Sequence, residues 1–401
     1  MDRSRNQDMN THTPTAKNDS EFVVFGQPHI LEEEIEEVVA CLRSGWIGTG
    51  PRVARFERDF AEFKSVERAV AVGSCSAALH LSLGATDIEP GDEVITSALT
   101  FCSTVNAIIH AGGRPVLADI DRCTMNLDPR DVAARITPRT RVLVPVHFAG
   151  RPCAIDQLLE LAARHELRVI EDCAHAIEAD YHGRGTGTIG DFGCFSFYAT
   201  KNMTTGEGGM VLARRPEDLD SIKSLALHGL SKDAWSRFQS SGHKHSYAVQ
   251  VGYKYNMMDL QAAIGIHQLR RLEKNRRLRQ EIWSRYQDAF EHLPVELPVA
   301  SEPDTTHAYH LYTLLINESR AGIARDDFLD AMKSLGIGVG VHYLSIAEHP
   351  IYQQLFGWKP EDWPAACCVG RQTVSLPLGP ALTEAQVQRV IGAVREILRS
   401  S

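Results

Sequence analysis

Lys201 stands in the run SFYATKNMTTGEGG (196–209), between an apolar stretch that reads as a strand and a cluster of glycines. A lysine held on a turn beside packed strands loses part of its hydration, which lowers its pKa and lets its neutral amine condense with an aldehyde. An acidic pair, Glu171-Asp172, closes an earlier strand-like run, RVIED. At the carboxyl end of that strand, Asp172 is placed to keep a pyridine nitrogen protonated. The aldehyde cofactor that calls for both groups is pyridoxal 5'-phosphate (PLP). It also needs hydroxyls and backbone amides for its phosphate and a flat side chain over its ring.

Residues for each of these needs are present. The turn Gly73-Ser-Cys-Ser-Ala77 separates a strand signal from a helix signal, so the first amides of the helix, beside Cys75, and the hydroxyls of Ser74 and Ser76 can converge on a phosphate. Ser196, on the strand before Lys201, adds a hydroxyl. Phe101 opens the following helix, where its face can stack on a pyridine ring. His175, just beyond Asp172, can bond the ring's phenolic oxygen. Taken singly, each has an ordinary explanation: a solvated lysine, a capping carboxylate or serine, a core aromatic, a structural histidine. Their order and spacing together carry the reading.

The elements around them alternate. Strand signals at Ala69–Val72, Glu93–Thr96, Pro115–Asp119, Val142–Val146 and Arg168–Asp172 are separated by helix signals at Ser74–Leu83, Thr100–His110, Pro129–Arg135 and Ile155–His165. Such β-α-β repetition predicts an α/β fold: a mostly parallel sheet flanked by helices, with ligands at the carboxyl ends of its strands. Phe192–Phe197 and Met210–Ala213 are strands joined by the Lys201 loop without a crossover helix. Upstream, 31–44 reads as a helix with Leu31, Ile35, Val38 and Leu42 on one face. Downstream, Asp259–Leu293 reads as one long helix bridging two domains. The smaller C-terminal α+β domain has strands at His310–Ile316, Gly338–Tyr343 and Val374–Leu376 and a helix at Arg325–Ser334. A terminal helix opens on Thr383 and Gln386 in capping-box spacing and buries Val387, Val390, Ile391, Val394 and Ile397. The expected division is a disordered leader over 1–20, a large domain over 21–275 and a small domain over 276–401.

Composition excludes several classes. A chain of 401 residues with 43% apolar content can bury one large core and a smaller second one. A net charge of -9, from 42 Lys+Arg against 51 Asp+Glu, argues against a general nucleic-acid binder. Nine cysteines without a C-x-x-C pair or zinc-ligand spacing read as reduced, buried small residues and predict no metal. With no signal-like or membrane-length apolar stretch, a cytoplasmic protein is expected. The polar stretch Leu230–Tyr247, which carries Lys232, Arg237, His243, Lys244 and His245, is either a solvated loop or a basic lid for an anionic substrate.

The runs SGWIGTGPRVARFE, VGSCSAALHLSL, TFCSTVNAI, VPVHFAGRP, EDCAHAIEADYHGRGTGTIGDFGCFSFYATKNMTTGEGGM and GYKYNMMDLQAAIG resemble the DegT/StrS-type nucleotide-sugar aminotransferases, a branch of the fold-type I PLP enzymes. The likeness runs in order from about residue 22. It implies that Lys201 holds the cofactor covalently, that Asp172 pairs with the pyridine nitrogen, and that Ser74, Cys75, Ser76 and Ser196 cradle the phosphate. It further implies that Phe101 stacks on the ring and that His175 touches the ring oxygen. By the same resemblance Asn256 reaches the phosphate from a neighbouring subunit, so that a homodimer shares its active sites; Lys254 stands where many relatives have asparagine, and Asn256 where they have arginine.

Relatives that use histidine in place of the lysine dehydrate sugars, and Lys201 argues against that branch. The implied reaction moves the amino group of glutamate to a keto-sugar nucleotide, at ring C3 or C4. The main rival is a nucleotide-free cyclic ketone such as a keto-inositol; a non-catalytic PLP-binding regulator is a third reading. The discriminating contacts are expected in Leu230–Tyr247 and in HYLSIAEH (342–349), which begins with His342 and Tyr343 and lacks the usual proline after the tyrosine.

Overall fold

Strands that are apolar on both sides must be covered on both sides, and the central runs of this chain are of that kind. The computed structural model describes residues 22–230 and 247–399; the expected leader and the interior of the stretch 230–247 lie outside them. The strands in chain order are β1 Val70–Val72, β2 Glu93–Ser97, β3 Arg114–Ala118, β4 Thr140–Val144, β5 Arg168–Asp172, β6 Asp180–Tyr181, β7 Arg184–Gly185, β8 Phe192–Ser196, β9 Gly209–Ala213, β10 Thr305–Thr306, β11 Tyr312–Leu315 and β12 Thr373–Leu376. Seven form the main sheet, in the order β1-β9-β8-β5-β4-β2-β3. From β8 to β3 all pairings are parallel, and β9 runs antiparallel to β8 and β1.

Helices Cys75–Gly84, Cys102–His110, Pro129–Arg135 and Ile155–Arg164 make the crossovers. The chain places β3 on one side of β2 and β4 on the other. At such a reversal the connections after neighbouring strands diverge, and a crevice opens at the strands' carboxyl ends. The loops after β2, β4 and β5 all reach it.

Two helical expectations change. Helix Glu32–Ser44 forms, but Ile35 and Leu42 are 48% and 55% exposed, and Glu34 and Cys41 are the residues turned inward. Glu34 pairs with Arg271 and its carboxylate accepts the Leu31 N–H at 2.8 Å, so a buried ion pair rather than the apolar stripe fixes this helix on the body. The long downstream helix is broken into Asp259–Arg270 and Leu272–Phe290. Arg271 leaves helical ψ, with φ -107 and ψ 7, while its guanidinium donates to the His29 carbonyl at 2.7 Å.

A third expectation fails: Gly338–Tyr343 is not a strand. Its backbone bonds are divided, Gly338 donating to Val23 and Gly340 exchanging both bonds with Ser375, so no continuous ladder with one partner forms. The separate core beyond residue 280 gathers Ile282, Tyr286, Phe290, Tyr312, Phe328, Val374, Leu376, Val387 and Val394 around the antiparallel pair β11–β12. The terminal helix Glu384–Arg399 starts as its capping box requires: Thr383 N–H donates to Gln386 Oε1 at 3.0 Å, and Gln386 N–H to Thr383 Oγ1 at 3.2 Å.

Helix Pro51–Phe63 has a glycine at its N-cap and therefore no side chain of its own to satisfy its first amides. Asp259, fully buried, does so from a distance: its carboxylate accepts from the N–H groups of Gly50 at 2.8 Å, Arg52 at 3.1 Å and Val53 at 2.9 Å. Charged acceptors at helix starts are also favoured by the helix dipole. Replacing Asp259 by Ala leaves three amides without this acceptor and is expected to cost about 3 kcal/mol in chemical denaturation; a loss below about 0.5 kcal/mol would show that the carboxylate does not hold this junction.

Candidate active site

Lys201 lies on the loop between β8 and β9, and the loop is tied down at every turn. Phe197 exchanges bonds with Gly208 and Thr205, Thr204 Oγ1 donates to the Phe197 carbonyl, and Lys201 N–H donates to the Tyr198 carbonyl at 2.9 Å. The next residue, Asn202, donates to Glu178 Oε2 at 2.8 Å and to the Ala308 carbonyl at 3.0 Å. Glu178 in turn forms a buried ion pair with Arg279. These anchors fix the point at which the Lys201 side chain leaves the loop, and that side chain is partly buried. Burial pulls its ammonium down to about 8, against the opposing pull of Cys75 and Asp172, so about a tenth of it is the neutral amine at pH 7.

The amine shares a cavity of about 370 Å³ with Ser74, Cys75, Ser76, Phe101, Asp172, His175, Ser196, His342 and Tyr343. These residues come from the ends of β1, β2, β5 and β8 and from the 342–343 segment of the C-terminal part. Asp172 is 4% exposed. Thr104 Oγ1 donates to its Oδ2 at 2.9 Å, and Ala174 N–H to its Oδ1 at 3.1 Å. Burial still raises its pKa, opposed by those two donors, Lys201 and His147. A cationic ring nitrogen placed against it would relieve that penalty, which is the chemical sense in which the site fits a pyridinium.

The opposite requirement, an anion hole without basic side chains, is met at the start of helix Cys75–Gly84. Ser74 is its N-cap and accepts from the Ala77 N–H at 3.1 Å, so its hydroxyl proton and the first helix amides remain for a phosphate. Gly209 pairs with Ser196 across β8–β9; a Cβ there would lie 2.5 Å from the Ser74 carbonyl carbon. Only glycine lets this turn sit against β9, and that contact brings the Ser74 and Ser196 regions together. Phe101 is 55% exposed and walls the cavity instead of filling the core, an aromatic face offered to a flat ligand.

His175 spends both ring nitrogens inside the protein: Nδ1 accepts from the Ala149 N–H at 3.2 Å, and Nε2 lies 2.9 Å from Tyr343 Oη. His342 bonds Ser375 Oγ at 2.9 Å, and burial beside Lys201 brings its pKa down to about 4. Lys254 and Asn256 do not join this cavity. They bond each other at 2.5 Å and line a second, larger hollow of about 750 Å³ with Trp46, Ile47 and Thr49.

Several contributors are not singled out within the sequence, although two of them lie in the runs quoted above. Thr104 and Asn202 are such cases, as is His310, whose ring lies 4.4 Å from that of His175 and whose Nδ1 is 2.9 Å from Asn202 Oδ1. Arg279 sits in a charge-rich helix, yet it shares a face with Asn275, Ile282, Trp283 and Tyr286, all buried; that helical spacing is the one signal that marks it as interior. Behind Asp172, the Glu171 carboxylate accepts from the N–H groups of Gly187, Ile189 and Gly190 and lies 3.0 Å from His147 Nε2. His147 and the backbone amides hold Glu171 below the usual carboxylate range in spite of burial. Cys173 completes a trio with ligand atoms within 4.8 Å of one another. The oxygens of Glu171 already take these donors, and the trio packs as an anchor for the end of β5.

The chain also matches known proteins in family and fold. Residues 28–395 match the DegT/DnrJ/EryC1/StrS aminotransferase family. The chain is 48% identical over 381 residues to the spore coat polysaccharide biosynthesis protein SpsC of Bacillus subtilis, covering 95% of this chain and 98% of that one. It superposes on Spr1654 of Streptococcus pneumoniae in its PLP form with a TM-score of 0.88 and 30% identity, covering 94% and 99% of the two chains. DesI in the presence of its TDP-sugar product gives a TM-score of 0.84 and 30% identity over 94% and 93%. With a matched span of this extent, a fold-type I architecture and the lysine, carboxylate and hydroxyl cradle in one cavity, the chain belongs to the DegT/DnrJ/EryC1/StrS family of PLP-dependent sugar aminotransferases.

Proposed function

We propose that the protein transfers the amino group of glutamate to a keto-sugar carried on a nucleotide, at C3 or C4 of a 6-deoxyhexose or similar ring, in amino-sugar biosynthesis. The observation that carries the site assignment is the single cavity shared by Lys201, Asp172 and the serine cradle; the sugar-nucleotide assignment leans on DesI, solved with a TDP-sugar product. PLP supplies an electrophilic aldehyde and an electron sink when bound. In this reading Ser74, Ser76 and Ser196, with the amides at Cys75, hold its phosphate, Phe101 covers its ring, and Asp172 keeps its ring nitrogen protonated. Lys201 Nζ takes the Cα proton of glutamate in the first half-reaction and delivers a proton to the former carbonyl carbon of the sugar in the second. A pKa of about 8 suits a group that must both accept and donate near neutrality. All nine cysteines are unpaired, and among the described residues no helix is long and apolar enough to cross a membrane; the first fact supports a reducing, cytoplasmic setting.

We also infer a homodimer whose sites are shared. Trp46, Ile47 and Met258 are exposed at the hollow that Lys254 and Asn256 line, Val249 and Val251 are exposed shortly before Lys254 in the chain, Val251 at 92%, and a second copy is the partner that would cover such apolar residues. Sedimentation should give a dimer at micromolar concentration, and Val251→Asp should weaken it; a wild-type monomer that turns over substrate normally would contradict the shared site.

Two further measurements bear on the chemistry. A panel of ketones followed by mass should show amination of nucleotide-linked keto-sugars with glutamate as donor; amination of inositol ketones alone would contradict the substrate class. Because only the neutral amine attacks an aldehyde, capture of PLP by the apoprotein should accelerate about tenfold per pH unit below about 8 and level off above it. A rate independent of pH between roughly 6 and 9 would contradict the assignment of Lys201.

A further inference from the structure

Lys201 lines two cavities. The smaller, of about 30 Å³, it shares with Asn202, Asn275, Arg279 and His310, none of which has a part in the transfer reaction as given so far. Asn275, Arg279 and His310 are each more than nine-tenths buried, and each brings a polar atom that has no partner among the described residues. Arg279 gives Nη2 to Glu178 and the Ala308 carbonyl and Nε to the same carbonyl, while Nη1 bonds nothing. The Asn275 carboxamide, 3% exposed, makes no hydrogen bond. His310, 7% exposed, bonds through Nδ1 alone of its ring nitrogens.

The character of the remaining His310 nitrogen follows from a chain of bonds. Asn202 Nδ2 donates to Glu178 Oε2 at 2.8 Å and to the Ala308 carbonyl at 3.0 Å. Both partners only accept, so the carboxamide has one orientation, and its Oδ1 faces His310 Nδ1 at 2.9 Å. Nδ1 is therefore the donor. Burial, with Lys201, His342 and Arg279 nearby, holds His310 well below the ordinary histidine range, so the ring is neutral and that N–H is its one proton. Nε2 is left with a lone pair.

A ligand for this set must accept from a guanidinium, donate to an imidazole nitrogen and meet a carboxamide that does both. A carboxylate or a halide has no proton for His310, and a cation is repelled by Arg279. Water satisfies all three, and roughly 10–15 Å³ with two to four polar partners is enough to hold one molecule. We propose that this cavity binds ordered water between His310 Nε2, Asn275 and Arg279, and that this water exchanges protons with Lys201. The exchange rests on the part given to Lys201 under Proposed function, where its Nζ takes the Cα proton of glutamate. The step is a swap: the ammonium passes one proton to the water and takes another back, with no change of charge on either. A proton removed from Cα is thereby lost among those of the water before Lys201 makes its next delivery. His310, Asn275 and Arg279 are positioning residues for that water.

Deuterium reads the exchange, and crystallography reads the water. Holoprotein given glutamate deuterated at Cα, in ordinary water and without a keto-sugar, converts its cofactor to the pyridoxamine form, whose deuterium content mass spectrometry measures. The wild type should retain little label. Asn275→Leu, which removes a polar partner and fills the cavity, should retain several-fold more, and Asn275→Ser, which leaves a hydroxyl and space, should stay close to the wild type. Equal retention in the wild type and Asn275→Leu would overturn the proposal, as would full retention in the wild type. A crystal structure of the wild-type holoprotein should show a water within hydrogen-bond distance of His310 Nε2. A cavity without one, or an anomalous peak there after a bromide soak, would also overturn the proposal, whether or not the variants fold. No conversion of the cofactor would overturn the reaction itself and the exchange with it, a result distinct from retained label.

Discussion

Asp172 and Lys201 are an acid and a base that line the same cavity, the acid buried and the base partly so, and each suffers from its loss of hydration in the opposite sense. The carboxyl is pushed up and the ammonium pulled down. In isolation both shifts are costs, offset in part by mutual attraction, by two hydrogen bonds and His147 at Asp172, and by Cys75 at Lys201. A ligand that brings a cationic nitrogen to the acid and an electrophilic carbon to the amine relieves both at once. In the proposed function the lowered basicity also suits Lys201 to proton transfer.

Rigid surroundings maintain that state. Three backbone amides and His147 fix Glu171, the residue before Asp172, so the strand end cannot drift to relieve the buried carboxylate. On the other side, Asn202 binds Glu178, which is locked to Arg279 of the long helix, so the Lys201 loop is tethered to an element near the C-terminal core. The absence of a side chain at Gly209 lets the Ser74 turn pack against β9. Buried lysines are not all reactive: Lys64 is also buried, with its pKa lowered, but its Nζ donates to the Thr186 carbonyl at 2.8 Å and lies over the Phe195 ring, away from the cavity.

The sheet and the position of the cavity were legible because they follow from local signals. Period, glycines and strand ends located β1 to β5, the Lys201 loop and the turn at Ser74, and a parallel sheet then dictates that strand ends share one face. What escaped depends on side chains distant in sequence. Asp259 caps a helix that begins near residue 51, and Arg279 finds Glu178 across 101 positions; neither pairing leaves a periodic trace. Gly338–Tyr343 has strand-like composition, yet Val23 and Ser375 compete for its backbone. The apolar stripe of helix Glu32–Ser44 misled because Glu34 and Cys41, off that stripe, are the residues the body buries. The bond from His175 to Tyr343 joins residues 168 positions apart, so the sequence could offer the histidine without its partner.

The most direct test of the central claim is to reduce the PLP-loaded protein with borohydride and map the labelled peptide by mass spectrometry. A single pyridoxyl group on Lys201 is the predicted result. Label on another lysine, Lys64 included, or no covalent label on a fully loaded protein, would contradict the account.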